Sequence, residues 1–151
     1  MRRTVLTMML ACLALAACSL PTVDKVADAK ARALYEQVRT GADLSANPDL
    51  APDLRRPEVL TQLAAVKAML PPGAPTAAVN RSWSINAGTG GTNAVLVHAY
   101  SYPSQTVLAQ TVLTKGKGGV WQITGFHVTF EGPVNTAPPP AVTVTKPPQT
   151  T

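Results

Sequence analysis

The acidic residues of this chain are concentrated in one short part of its 151 residues. Seven of the eight acids lie between residues 24 and 58, and residues 59–130 contain none. The acid-rich part is also rich in Ala and Leu, whereas the later part is rich in Val, Thr and Gly. These compositions favour helices first and strands afterwards. The chain is therefore expected to fold as an α+β domain over residues 22–130.

Two helices are predicted in the first part of the domain. The first spans residue 22 to about residue 41, with Thr22 or Ser19 as its N-cap and Gly41 as its stop. The second begins at Pro57, because proline is favoured at the first helical position. The stripe of the first helix that is predicted to face the core contains Val23, Val26, Leu34 and Val38, flanked by Ala27, Ala31 and Tyr35. The loop between the helices is expected to be anchored by Leu44, Leu50 and Leu54.

Four strands are predicted in the second part, over residues 79–85, 94–102, 106–114 and 120–130. In the first strand apolar or long side chains alternate with polar ones, which indicates a half-buried antiparallel strand. Gly125 in the fourth strand is predicted to form a bulge. The two helices are expected to cover one face of a curved four-stranded antiparallel sheet. The side chains predicted to share the buried face of the first strand are Val79, Arg81, Trp83 and Ile85, and Trp121 and Ile123 are also expected in the core.

The last segment, residues 131–151, has a different composition. Six of its 21 residues are proline, mixed with Thr and Val. Such a segment cannot build a core and is expected to be disordered or polyproline-like. We expect it to serve either as a floppy tail or as a tether or bait for another component of the same compartment.

The N-terminus has the pattern of a secretory signal over residues 1–17. Two arginines precede an uncharged run from Thr4 to Ala17, which is too short to span a bilayer comfortably. The segment Leu15-Ala16-Ala17-Cys18 resembles the lipobox of bacterial lipoproteins. That resemblance implies a thioether from Cys18 to diacylglycerol, cleavage before this residue, and acylation of the new N-terminus with a fatty acid such as palmitate. Two or three chains hold a protein stably on a membrane.

The residues after Cys18 give the expected location. Residues 18–21 form a short tether, so the domain is expected close to the membrane and facing the periplasm. In the same resemblance, Ser19 is compatible with transport to the outer membrane, which is favoured over the inner one. The chain that follows residue 17 has eleven basic and eight acidic residues, a net charge of +3. Its basic residues are scattered and are not interleaved with aromatic ones, so a nucleic-acid partner is not expected.

The candidates for chemistry are few. Cys12 leaves with the signal and Cys18 carries lipid, so no free thiol remains, and two histidines without nearby carboxylates are not expected to bind a metal. No catalytic group or cofactor is predicted. His98, Tyr100 and Tyr102 share one face of the second strand, and His127 would join them if Gly125 bulges. Such a group would bind a small polar ligand or shuttle a proton in a sheet concavity. Alternatively, these residues lie on a solvated face or in the core.

The whole pattern resembles the small bacterial lipoproteins with a cystatin-like or nuclear transport factor 2-like domain of uncharacterised function. The residues that carry this resemblance are Tyr35, Gly41, Asp43, Leu70-Pro71, Tyr100-Ser101-Tyr102-Pro103 and Trp121-Gln122-Ile123-Thr124-Gly125-Phe126. The acid–base residues of the catalytic members of that fold family have no counterpart here, so the resemblance implies a non-catalytic member.

Three functions therefore follow from the sequence as hypotheses. The leading one is an envelope lipoprotein with a non-catalytic binding or protein-interaction domain. The second is a small enzyme or ligand carrier that uses the His–Tyr group, and the third is an envelope spacer that acts through its Pro-rich tail.

Overall fold

The computed structural model describes residues 23–132 and 142–144. The described residues form two α-helices, one 3₁₀ helix and one antiparallel sheet, which confirms the α+β class. The predicted signal peptide, Cys18 and the tether over residues 18–21 lie outside these residues. No helix among the described residues has the length and apolar character needed to cross a bilayer. The elements are α1 (Lys25–Thr40), the 3₁₀ helix (Pro52–Arg55), α2 (Pro57–Met69), β1 (Ala77–Gly88), β2 (Gly91–Ser101), β3 (Thr106–Lys115), β4 (Trp121–Glu131) and β5 (Val142–Val144).

Helix α1 begins and ends at residues with clear capping roles. Asp24, rather than the predicted Thr22 or Ser19, is the N-cap, because its carboxylate accepts hydrogen bonds from the backbone N–H groups of Val26 and Ala27 at 2.9 and 3.1 Å. Gly41 ends the helix as predicted. Its φ of 75° is left-handed, and its N–H donates to the last carbonyls of the helix.

The buried stripe of α1 differs from the predicted stripe at one position. Val26 is 56% exposed, so its predicted place in the core was wrong. The buried side chains are instead Ala27, Ala31, Leu34, Tyr35 and Val38, which recur every three or four residues. The two small alanines face the sheet, where a small side chain lets helix and sheet approach closely.

The segment between the helices is fixed to the sheet edge. Its leucines Leu44, Leu50 and Leu54 are buried, as predicted. The backbone next to Leu50 pairs with β4, since Ala51 N–H donates to the carbonyl of Ile123 and Ile123 N–H donates to the carbonyl of Asp49. Helix α2 then begins with Pro57 at its first position, also as predicted.

The sheet has the order β1-β2-β3-β4-β5, and every neighbouring pair is antiparallel. Both helices pack on the same face, which we call the inner face, and the other is the outer face. The inner-face side chains form the core with α1, α2 and the segment between the helices that carries Leu44, Leu50 and Leu54, which we call the leucine loop. Those of the strands include Leu96, Val107, Leu113, Trp121, Ile123, Phe126 and Val128, so the core positions predicted for Trp121 and Ile123 are confirmed.

Two bulges change which side chains face the core. In β4, Val112 of β3 is opposite Gly125 and Leu113 is opposite Ile123, so Thr124 is the extra residue. The bulge is therefore one residue before the predicted position, Gly125. A Cβ at Gly125 would lie 3.3 Å from the Cβ of Val112. After a bulge, the alternation of side chains shifts by one position.

The bulge in β1 was not predicted. Arg81 is the extra residue, because Asn80 is opposite His98 and Ser82 is opposite Val97. Trp83 therefore lies on the inner face, whereas Val79, before the bulge, lies on the outer face and is 56% exposed. The single buried face predicted for Val79, Arg81, Trp83 and Ile85 was wrong for this reason.

The Pro-rich segment contributes to the sheet. The four predicted strands are present, and a fifth strand, β5, pairs with residues 126–128 of β4. The prediction that residues 131–151 are disordered was therefore wrong for Glu131, which is the last residue of β4, and for the residues of β5. The other residues of the segment, apart from Gly132, lie outside the described part of the chain. Short edge strands of this kind cover hydrogen-bonding groups that would otherwise face solvent.

Candidate functional site

The predicted His–Tyr group divides between the two faces of the sheet. His98 and Tyr100 of β2, and Tyr102 directly after it, lie on the inner face and are 1%, 4% and 6% exposed. His127 is opposite Gln110, which is opposite Val97 on the outer face. Directly opposite residues share a face of the sheet. The bulge at Thr124 has therefore turned His127 away from the other three residues, which is the reverse of the expected effect.

His98 is held by a carboxylate of helix α1. Its Nε2 lies 2.7 Å from Oδ1 of Asp28, and the same oxygen accepts a hydrogen bond from Nδ2 of Asn80 at 3.3 Å. The other oxygen of Asp28 accepts from Nε of Arg32, one turn along the helix, at 2.8 Å. One carboxylate thus connects α1 with β1 and β2.

Three tyrosines continue this cluster towards the end of β2. The rings of Tyr35 and Tyr100 are stacked, with centroids 3.5 Å apart and an interplanar angle of 7°. The hydroxyl groups of Tyr35 and Tyr102 form a buried hydrogen bond of 2.8 Å. The ring of His98 is tilted by 40° to that of Tyr100 at 6.1 Å. We call these residues, with Asp28, the His–Tyr cluster.

The electrostatics of the His–Tyr cluster favour uncharged rings. Burial lowers the pKa of His98, and the charge of Arg32 lowers it further, although the hydrogen bond to Asp28 opposes both. Burial also raises the pKa of Asp28, but the hydrogen bonds from Arg32, His98 and Asn80 outweigh it, so that this pKa is lowered overall. Burial raises the pKa values of the Tyr35 and Tyr100 hydroxyls.

The arrangement fits a structural connection between helix and sheet better than a site that turns over substrate. A general acid or base must come within hydrogen-bonding distance of a substrate atom, and the ring of His98 is covered by α1. Within residues 23–132 and 142–144, no three His, Cys, Asp or Glu side chains lie close enough together to hold a metal ion.

The outer face has a different character from the inner face. Its central side chains are apolar and partly exposed, and no described residue of the helices packs on them. We call these side chains the outer-face patch, and they are Val95, Val97, Leu108 and Val112. His127 and Gln110 border the patch, and all of these side chains are of intermediate exposure.

An ion pair crosses the outer face from β1 to β4. Arg81, the bulged residue, contacts Glu131, although β2 and β3 lie between their strands. In a flat sheet the two Cα atoms would be about 18 Å apart, which is more than the two side chains can span. The sheet therefore bends towards its outer face along this diagonal. Ala99, which lies beneath on the same face, is only 7% exposed.

A separate cleft lies at the far end of α1, between the two helices. Its volume is about 260 Å³, and its lining is mainly apolar, with Val38, Leu60 and Leu63. Lys67 reaches over it towards Gly41, where its Nζ takes the place that a side chain at residue 41 would need. The cleft is smaller than the pockets that usually hold small molecules, about 300–1,000 Å³.

The sequence did not indicate that Asp28 and Tyr35 are partners of the predicted residues. Both lie on α1, seven residues apart, and Ala27 and Ala31 mark the same side of the helix as the one that faces the sheet. The position of Asp28 beside these buried alanines was the signal in the sequence that its carboxylate could contact the sheet. Its partner could not be assigned from the sequence, because His98 is 70 residues away.

Comparison with protein-family models, with characterised proteins and with solved structures found no match to this chain.

Proposed function

We propose that this chain is a bacterial envelope lipoprotein, anchored through Cys18, whose folded domain binds another envelope protein without catalysing a reaction. The anchor rests on the lipobox-like residues Leu15-Ala16-Ala17-Cys18, and Ser19 favours the outer membrane. Two helices on one face of a bent antiparallel sheet are compatible with a cystatin-like or nuclear transport factor 2-like fold.

The observation that carries the binding proposal is the difference between the two faces of the sheet. The side chains with acid–base chemistry, above all His98 and Asp28, are used to attach α1 to the inner face. The outer face instead presents the apolar outer-face patch on a surface that is concave along the diagonal from Arg81 to Glu131. A partly exposed apolar patch rimmed by polar side chains is typical of a protein-binding surface.

Photo-crosslinking in living cells tests the binding proposal. A photoreactive amino acid would replace Val97 or Val112 in the outer-face patch, and Gln62 on the exposed side of α2 would be the matched control. We expect one crosslinked species of the same mass from both patch positions and none from Gln62. Crosslinks that are equally abundant at Gln62, or absent from the patch, would contradict the proposal.

The anchor is tested separately by the mass of the purified protein. We expect the mature chain to begin at Cys18 and to carry the mass of a diacylglycerol thioether with an additional acyl group. An unmodified Cys18, or retention of residues 1–17, would exclude the anchor and leave the crosslinking result to stand alone.

A further inference from the structure

The turn between β3 and β4 is basic and exposes an apolar side chain. Residues 115–120, which we call the hairpin tip, read Lys-Gly-Lys-Gly-Gly-Val. Lys117 is exposed, and Val120 is 65% exposed, compared with 56% for both Val26 and Val79. The turn is tight, since Gly119 N–H donates to the carbonyl of Gly116 at 3.0 Å. Cations beside an exposed apolar group suit the interface between lipid and water.

The start of helix α1 lies at the same end of the domain as the hairpin tip. The indole Nε1 of Trp121 donates to Oδ2 of Asp24 at 3.0 Å, and Nζ of Lys115 lies 5.6 Å from the centroid of the Trp121 ring. Lys25 and Val26, in the first turn of α1, are both exposed. The helix start and the hairpin tip therefore form one surface with three lysines and two exposed valines.

The acid on this surface is already engaged. The hydrogen bond from Trp121 lowers the pKa of Asp24, the backbone N–H groups at the start of α1 lower it further, and burial opposes them. The positive charge of Lys115 also lowers the pKa of this carboxylate. Of the described lysines at this end, Lys25 and Lys117 are the two that are exposed to solvent.

The length of the tether places this surface near the proposed anchor. Six residue steps separate Cys18 from Asp24, and a chain of that length spans at most about 20 Å. The opposite end of the sheet, with the turn around Ser104, is farther away by the length of β2, about 36 Å for its eleven residues. If Cys18 is held in a membrane, the hairpin tip therefore lies closer to that membrane than the turn around Ser104 does.

We propose that this end of the domain docks on an anionic lipid surface, with Lys25 and Lys117 at the headgroup phosphates and Val120 in the interface. This inference rests on the proposed lipid anchor at Cys18. The docking fixes the orientation of the domain, so that the β-strands stand away from the bilayer. The outer-face patch then faces sideways along the membrane, where a neighbouring envelope protein can contact it.

Lipid quenching of a site-specific fluorophore tests the docking. The full mature protein, with Val120→Cys labelled with bimane, is reconstituted in vesicles that carry nitroxide-labelled lipid headgroups. Ser104→Cys, labelled in the same way, reports on the opposite turn. One set of vesicles contains phosphatidylglycerol and the other only phosphatidylcholine. In the phosphatidylglycerol vesicles we expect strong quenching at residue 120 and weak quenching at residue 104. In the phosphatidylcholine vesicles we expect weak quenching at both residues.

Lysine replacements show whether charge causes the quenching. A lysine near an anionic surface changes an equilibrium about fivefold. Lys25→Gln and Lys117→Gln together are therefore expected to lower the ratio of docked to undocked domain about 25-fold. Lys67→Gln is the matched control, because Lys67 lies at the far end of α1, beside Gly41, and is also exposed. It is expected to leave the quenching unchanged.

The outcomes separate this inference from the proposed anchor. Equal quenching at residues 120 and 104, or quenching at residue 120 that ignores lipid charge and both lysine replacements, would overturn the docking even if the protein is lipidated. The mass of the same preparation reports on the anchor independently. A second preparation of the mature chain with Cys18→Ser measures the affinity of the hairpin tip for phosphatidylglycerol vesicles by sedimentation. We expect binding that high salt weakens, and no binding would contradict the inference.

Discussion

The ring of His98 lies between a carboxylate of α1 and the stacked tyrosines of the core. Asp28 accepts hydrogen bonds from Arg32 and Asn80 as well as contacting His98, so that one side chain joins the helix to two strands. If Asp28 or His98 were replaced by an apolar residue, the polar atom of the remaining partner would lose its hydrogen bond. Leaving a buried polar group without a partner is destabilising. The orientation of α1 on the sheet therefore depends on a few polar contacts as well as on apolar packing.

Stability is expected to fall as the pH is lowered through the range in which free histidine takes up a proton. The pKa of His98 in the folded protein is below its usual value, chiefly because the ring is buried. Between that pKa and about 6.5, the unfolded chain binds more protons than the folded one, so acid favours unfolding. Chemical denaturation at a series of pH values between 8 and about 5 measures this, because most carboxylates remain ionised there.

His98→Gln is the variant that isolates this effect. A glutamine amide can still donate to Asp28 but does not titrate, so the stability of the variant should depend less on pH between about 5 and 7 than that of the natural protein. His127→Gln, on the outer face, is the control for removal of a histidine. Parallel pH profiles for the natural protein and His98→Gln would contradict the assigned neutral state of His98.

At the level of elements, the sequence was sufficient for the two α-helices and the first four strands, but not for β5 or for the faces that the strands present. Periodicity indicated the strands, and the flanking Gly and Pro residues indicated the turns, because these signals are local. The bulge at Arg81 was missed since no glycine or proline marks it. The effect of the bulge beside Gly125 on His127 could not be derived, because its direction depends on which residue is extra, and this is set by the register against β3.

The end of α1 offers a test of backbone conformation within one element. Gly41 has a φ of 75°, where an L-residue with a side chain is strained by about 1–2 kcal/mol. Gly41→Ala should therefore lower the free energy of unfolding by about that amount. Gly118→Ala, in an open turn with no atom near the new Cβ, should change it little. Urea denaturation of both variants gives the comparison.

The side chain of Lys67 provides a second control at the same place. A Cβ on residue 41 would also displace the amine of Lys67, but this is the flexible end of an exposed side chain. If backbone strain is the main cost, Lys67→Ala in the Gly41→Ala background should not restore stability. Full restoration would show that the contact with Lys67, and not the left-handed backbone, explains the glycine.

Considered as a whole, the described molecule has distinct surfaces. The inner face of the sheet is occupied by α1, α2 and the leucine loop, and it contains the His–Tyr cluster. The outer face carries the outer-face patch, and one end carries the lysines of the hairpin tip. The proposed anchor, the lipid contact and the protein contact therefore fall on separate parts of the chain. Each can be altered without changing residues that the other two use.

The edge of the sheet next to β4 gives the last prediction, which concerns the Pro-rich segment. Strand β5 pairs with residues 126–128 and also contacts α2, which packs on α1 and on the 3₁₀ helix as well. A chain that ends at Gly132 should still fold around α1 and β1–β4, with a loss of about 1–2 kcal/mol for the missing hydrogen bonds and a further loss for the contacts of α2 with β5. Amide hydrogen exchange should become faster at residues 126–128 and in α2, and should change least in β2, because β4 and α2 lose a contact and β2 does not. Unchanged exchange at residues 126–128 would mean that β5 does not pair there in solution, and the segment would then act as the free spacer considered from the sequence.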